Sequence, residues 1–298
     1  MNGRLFATIL GVTFAGALAS AQRPAPDAIP MPDGDITISP IAHGSVYIAH
    51  GQNVILIDPA RFGPGLPLPP PPSPELIAQL KKIPPKGPDG EPSPETTVSA
   101  LPLTPEQMVR FKGLKDPTLI LVTDIHDDHL DPRVIAALKG ASTRLIVPRA
   151  ATSRLLGVEG AEAMSNGETR RVGGTIVEAV PMYNPQPDAK FGLVFHPKGR
   201  GNGYVLTIGG KRIYVAGDTG CTTEMQILKS IDVAFLPMSL PSTMSPSEAA
   251  ECAKAFRPRV VYPYHYFESD PKVFEAALQG TAIEVRLRDW YLGKAGNK

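Results

Sequence analysis

Apolar positions fall in short runs along most of this chain, and they predict a strand-rich fold before any chemistry is considered. Residues 35–39, 45–49 and 53–57 have the length and β-branched content of strands, with His50-Gly51-Gln52 forming a hairpin turn between the second and third. Residues 118–122 form another strand-like run. Beyond it the pattern alternates, predicting strands over 144–147, 175–180, 204–208, 212–216, 232–236 and 259–262. Gly209-Gly210 closes a hairpin between the third and fourth of these. A helix over 131–139 starts at Asp131-Pro132, an N-cap followed by proline at the first helical position. Ser245-Pro246-Ser247-Glu248 opens a second, box-capped helix that runs through Phe256.

Two stretches break this rhythm. Met1 to Arg4 is a short basic start, residues 5–18 are apolar, and Ala19-Ser20-Ala21 has the small residues of a cleavage site. The apolar run is shorter than the roughly 20 residues a spanning helix needs. Residues 1–21 are therefore expected to be a secretory signal peptide, which places the mature protein in a periplasm or outside the cell, with no transmembrane segment. Residues 22–35 are expected to be a linker and 36–298 a single domain. The second break is a proline-rich insertion at about 63–105, including the run 69–72. Short helices are expected over 73–82 and from the capping box Thr104-Pro105-Glu106-Gln107 through Phe111, with extended, polyproline-like chain between them. The insertion reads equally as a lid over a cleft and as a spacer.

The chemistry concentrates after the run 118–122. Asp124, His126, Asp127, Asp128 and His129 place five potential metal ligands within six residues. Such a cluster repels itself unless a cation turns its lone pairs into bonds. A solvated acidic loop capping the next helix is the alternative for this segment alone. Three further ligand-type residues each end a strand-like run: His196 after 191–195, Asp218 after 213–217 and His265 after 260–264. Strand ends can aim side chains into a shared cleft from a rigid support.

Asp124-x-His126-x-Asp128-His129, then His196, then Gly217-Asp218-Thr219, then Pro263-Tyr264-His265-Tyr266, resembles the metallo-β-lactamase superfamily from about residue 36 to the end. The resemblance implies an α/β fold, the αββα sandwich of two mixed sheets with outer helices. It assigns Asp124, His126 and His196 to one metal and Asp128, His129 and His265 to another, with Asp218 bridging. Ile41-Ala42-His43-Gly44-Ser45, followed by 54–59, is similar to the branch of ascorbate-6-phosphate lactonase and N-acylphosphatidylethanolamine phospholipase D. It implies that His43 contacts substrate or transition state. One position departs from the pattern, since the family's first motif ordinarily begins with histidine and here begins with Asp124. The cofactor expected is two divalent ions, zinc first. The carboxylate leaves open a harder ion such as manganese, iron or magnesium, and a single-metal site.

A paired-ion site activates water, with Asp128 or Asp218 orienting it, so no serine or cysteine nucleophile is required. The sequence has no Gly-x-Ser-x-Gly elbow, and the glycine-rich stretch 199–203 is not a phosphate-cradling Walker loop. A formal net charge of +1 argues against a nucleic-acid partner. A small-molecule substrate is expected: a lactone, an amide or a phosphodiester. Lys198 and Arg200 are candidates to bind an anionic group of it, and Tyr266 to line it. The two cysteines, Cys221 and Cys252, pair or remain free on sequence grounds. Two function classes stay in play: an exported metal-dependent hydrolase, and a non-catalytic metal- or ligand-binding protein on the same fold.

Overall fold

A computed structural model of the protein describes residues 24–60, 74–75, 78, 103, 105–155 and 157–291. The expected signal peptide, nearly all of the proline-rich insertion and the Thr104 cap lie outside these residues.

Among the described residues, fourteen strands form two seven-stranded sheets. The first contains β1 (Asp27–Ile29), β2 (Ile36–Ala42), β3 (Ser45–His50), β4 (Asn53–Ile57), β5 (Leu119–Leu121), β6 (Arg144–Pro148) and β7 (Ala161–Met164), side by side in chain order. The second contains β8 (Thr169–Val172), β9 (Thr175–Met182), β10 (Gly201–Ile208), β11 (Lys211–Val215), β12 (Val233–Pro237), β13 (Val260–Tyr264) and β14 (Glu284–Val285). Each sheet begins with four antiparallel strands and continues in parallel: β4 to β7 in one, β11 to β14 in the other.

The two-residue period of the strands explains why the sheets stack. In β13, Val260, Tyr262 and Tyr264 face a central cluster, whereas Val261 faces the opposite side. In β12, Val233 and Phe235 face inward, and Ala234 and Leu236 outward. In β5, Leu119 and Leu121 face inward and Ile120 outward. The central cluster thus draws on both sheets. The outer face of the first sheet is covered by α1 (Pro105–Met108), α2 (Pro132–Leu138) and a 3₁₀ helix (Arg149–Arg154). The outer face of the second carries α3 (Thr223–Gln226), α4 (Pro246–Phe256) and α5 (Pro271–Ala277). This is the αββα sandwich. Asp131 caps α2 through Arg133 N, and Ser245 and Glu248 close the expected capping box on α4.

Several expectations need correction. The stretch read as a linker contains β1, which pairs with β2. Asp27 there holds Arg288 at 2.5 Å and accepts from the Tyr262 hydroxyl at 3.0 Å, so both ends of the described chain meet on the sheet. Residues 191–195 are loop rather than strand: Asp188 Oδ1 accepts from Lys190 N and Phe191 N, and Gly192 turns the backbone at φ +65°. Strands β7, β8 and β14 are short and partly polar, without the apolar run that would have announced them.

Cys221 and Cys252 are paired, with Cα atoms 5.7 Å apart and a sequence separation of 31. The bridge joins the segment after Asp218 to α4, on the outer side of the second sheet. The double variant C221A/C252A should lose about 2–4 kcal/mol of stability in urea unfolding, through release of the closed loop. An unchanged midpoint would show that the bridge constrains nothing that folding does not already hold.

Candidate metal centre

The site lies beyond the carboxyl ends of the parallel strands, where crevices form in open α/β sheets. Asp58 follows β4, Asp124 to His129 follow β5, Asp218 follows β11 and His265 follows β13. His43 sits in the β2–β3 turn and His196 in the loop between β9 and β10. His43, Asp58 and His265 adopt left-handed backbone with φ of 48°, 48° and 46°. Non-glycine residues pay strain there, and such residues cluster at functional sites. Gly217 is required, because at φ +66° a Cβ would stand 2.5 Å from Met182 Sδ and 2.9 Å from Thr123 Cβ.

Seven expected ligands form two clusters. Asp128, His129, Asp218 and His265 form one and Asp124, His126 and His196 the other, with the ligand atoms of each within 4.8 Å of one another. Asp218 joins them. Its Oδ1 lies 3.2 Å from His265 Nε2, and its Oδ2 lies 3.3 Å from His129 Nε2 and 3.5 Å from His196 Nε2. In the second cluster, Asp124 Oδ2 is 2.6 Å from His126 Nδ1 and 3.6 Å from His196 Nε2.

The outer nitrogens of two histidines are committed to acceptors. His129 Nδ1 stands 2.8 Å from Asp58 Oδ2. His196 Nδ1 is 3.0 Å from Asn184 Oδ1 and 3.1 Å from the Ser242 carbonyl. Donation outward from Nδ1 leaves each Nε2 lone pair aimed inward at Asp218. Asp58 is itself held by the Thr123 N–H and hydroxyl, each donating at 2.6 Å. His43 donates from Nε2 to Asp128 Oδ2 at 3.1 Å and accepts the Tyr291 hydroxyl at Nδ1 over 2.9 Å. Tyr291 in turn accepts the Phe267 N–H at 2.7 Å.

The donor set fits divalent ions. The Nε2 atoms of His129 and His265 converge to 3.2 Å beside Asp218, so their lone pairs can be directed at one shared cation. Asp124 Oδ1 and Asp218 Oδ1 are buried without a hydrogen-bond donor among the described residues. Electrostatics agree. Burial opposes charge on His129, but Asp218, Asp58 and Asp128 outweigh it and raise that imidazole well above its usual range. Burial likewise pushes the Asp218 carboxyl up, yet His265 and His129 hold it below the ordinary carboxylate range. For His196, burial dominates and lowers it to about 3, which keeps the ring neutral and available as a ligand. Burial, with His265 beside it, takes His43 to about 3 as well.

The remaining candidates are spread more widely. Arg200 reaches the second cluster, 3.5 Å from both Asp124 Oδ2 and His126 Nε2. Lys198 pairs with Glu224 at 2.5 Å and lies over the Tyr183 ring, with its side chain largely exposed. Tyr266 donates to the Arg288 carbonyl at 3.3 Å and packs on Tyr291. Asp127, inside the ligand-rich loop, pairs with buried Arg154 at 2.8 Å. Asp58, Asn184, Ser242 and Tyr291 were not singled out from sequence. Only Asp58 carried a signal, as a carboxylate directly ending the run 53–57 like the ligands that end other runs.

A two-sheet sandwich with such paired clusters at its strand ends defines a metallo-β-lactamase-fold metal centre. The chain belongs to the metallo-β-lactamase superfamily: the β-lactamase superfamily domain matches residues 37–265. It is 31% identical over 188 residues to a metal-dependent hydrolase of Deinococcus radiodurans, covering 58% of this chain and 78% of that one. It is 32% identical to one of Pyrococcus abyssi, covering 62% and 84%. Among solved structures, a protein of Parabacteroides distasonis assigned as a metal-dependent hydrolase superposes with a TM-score of 0.65 at 31% identity, over 89% of this chain and 98% of that one. A metallo hydrolase of Ignicoccus hospitalis shares the fold, with a TM-score of 0.58 at 20% identity, over 85% and 95%.

Because Asp58 orients His129, Asp58→Asn should weaken zinc binding at the Asp128–His129–Asp218–His265 cluster about 10- to 100-fold in a competition titration with a chromophoric chelator. An unchanged affinity would mean that His129 needs no orienting partner.

Proposed function

We propose that this protein is an exported metal-dependent hydrolase that directs water at a small lactone, amide or phosphodiester. The observation that carries the reading is the Asp218 carboxylate, placed within 3.5 Å of Nε2 of His129, His196 and His265 and so common to both clusters. Divalent ions held there, with zinc the first choice, would supply Lewis acidity and lower the pKa of water from roughly 15.7 toward 7.

The chain's own groups do the rest. Most ligands are sealed: Asp124, His129, His196, Asp218 and His265 expose 4% of their side chains or less. His126 and Asp128 expose 29% and 31%, so substrate and water reach the centre from their side. Burial pushes the Asp128 carboxyl up, but His129, His265 and His43 hold it well below its usual range, so it stays ionised and can orient attacking water as a hydrogen-bond acceptor. The His43 N–H on its Oδ2 keeps that carboxylate turned toward the site. Arg200, on the rim of the second cluster, is the nearest candidate for an anionic substrate group, while Lys198 is engaged by Glu224.

Export is supported by the amino-terminal sequence and by the Cys221–Cys252 disulfide, a bond that persists in oxidising compartments. No helix among the described residues is long and apolar enough to cross a membrane. A non-catalytic metal-binding protein is the second reading, and the Asp124–Arg200 contact favours it by placing a competing cation at one cluster.

The test is a hydrolysis screen over lactones, phosphodiesters and amides, with protein stripped by chelator and then reloaded with zinc, manganese or iron. Activity should vanish on stripping and return with metal, and Asp218→Asn should lower kcat/KM at least about a hundredfold. Turnover indifferent to stripping would refute metal dependence, and none with any loaded metal would favour the binding protein.

A further inference from the structure

The position at which this chain departs from its family is also where an arginine enters the ligand cluster. Asp124 is fully buried, with Oδ2 taken by His126 at 2.6 Å and Oδ1 lacking any hydrogen-bond donor among the described residues. A carboxylate in place of imidazole adds a negative charge to a centre that already contains Asp218. An uncompensated buried charge is strongly destabilising. The compensating group is Arg200, from the loop that leads into β10. Its guanidinium lies 3.5 Å from Asp124 Oδ2 and 3.5 Å from His126 Nε2, its side chain is 14% exposed, and its Nε is buried without an acceptor among the described residues. The neighbouring cation, Arg154, is committed to Asp127. The cluster of Asp128, His129, Asp218 and His265 shows no arginine or lysine ion pair in the described contacts; its carboxylates are met by imidazoles. The two clusters therefore differ in kind: one has a tethered positive charge beside it, and the other has none among the described residues.

We propose that Arg200 is the resident counter-charge of the Asp124–His126–His196 cluster, which consequently binds a divalent cation more weakly than the Asp128–His129–Asp218–His265 cluster. The protein would then hold one ion tightly and exchange the second. A divalent ion entering the weaker cluster must share Asp124 with a guanidinium that repels it, and each lowers the other's affinity for the carboxylate. This inference rests on the metal-centre reading above and specifies its stoichiometry.

The experiment is equilibrium dialysis of the full chain against graded free zinc, with bound metal read by elemental mass spectrometry, for wild type, Arg200→Gln and Arg200→Lys. Wild type should show two classes of site at least about tenfold apart. Arg200→Gln should tighten the weaker class about tenfold or more and leave the tighter class within about twofold, and Arg200→Lys, which keeps the charge, should resemble wild type. The tighter class in each variant doubles as the control that the fold survived. Two indistinguishable classes in wild type, or a weaker class that Arg200→Gln leaves unchanged or loosens, would overturn the role of Arg200 while leaving the metal centre standing. No zinc bound by any of the three would overturn the metal-centre reading itself.

Discussion

Four carboxylates, from Asp58, Asp124, Asp128 and Asp218, are packed among buried imidazoles at one edge of the sandwich, and the mutual repulsion of that group is the constraint the rest of the site answers. Burying even one ion without a partner costs several kcal/mol. The cost is met in three ways here: by the Thr123 donors on Asp58, by Arg200 beside Asp124, and by imidazoles turned toward Asp128 and Asp218. What remains is negative potential focused on the inward Nε2 atoms, strong enough to raise His129 well above its ordinary range against its complete burial. A divalent cation is the group that such an arrangement is built to receive.

The fold makes the arrangement rigid. Parallel strands from both sheets end on the same side, so ligands separated by more than 130 residues, such as His129 and His265, meet with ring centroids 5.0 Å apart. Behind them, the central layer of Phe235, Tyr262, Tyr264 and Trp290 stacks in stacked and edge-on pairs 4.9–6.2 Å apart. Tyr264 couples that layer directly to the site: its buried hydroxyl accepts the Gly217 N–H at 2.9 Å and so supports the turn that presents Asp218. Left-handed backbone at His43, Asp58 and His265 is the local cost of turning three side chains into one space. The Cys221–Cys252 bridge fastens the same turn from its outer side.

Much of this was readable from residues. The loop from Asp124 to His129 stood out because ligand-type residues are concentrated there beyond what a solvated cap needs, and Asp218 and His265 because each ends an apolar run. The apolar runs announced a strand-rich chain with short helices, while the αββα arrangement itself was implied by the resemblance to the metallo-β-lactamase superfamily. Other parts lay out of reach for physical reasons. Asn184 and Ser242 hold His196 through contacts between loops far apart in sequence, and a lone asparagine or serine carries no sign of such a partner. The 191–195 run is apolar enough for a strand, but Asp188 captures its backbone in a turn. Edge strands β7 and β8 expose polar side chains on one face, and β1 lies in a proline-containing stretch that resembles a linker. Arg200 was visible as a charge in a glycine-rich loop; that it faces Asp124, and not a substrate alone, depends on folding.

The central claim is that Asp218 unites two histidine-rich clusters into one metal centre. Elemental mass spectrometry on protein purified without chelator and equilibrated with excess zinc, beside His126→Ala, His265→Ala and Asp218→Ala, tests it most directly. The account predicts about two ions in wild type, about one lost in each histidine variant and losses at both clusters in Asp218→Ala. Wild type without metal, or metal content that ignores all three substitutions, would contradict it.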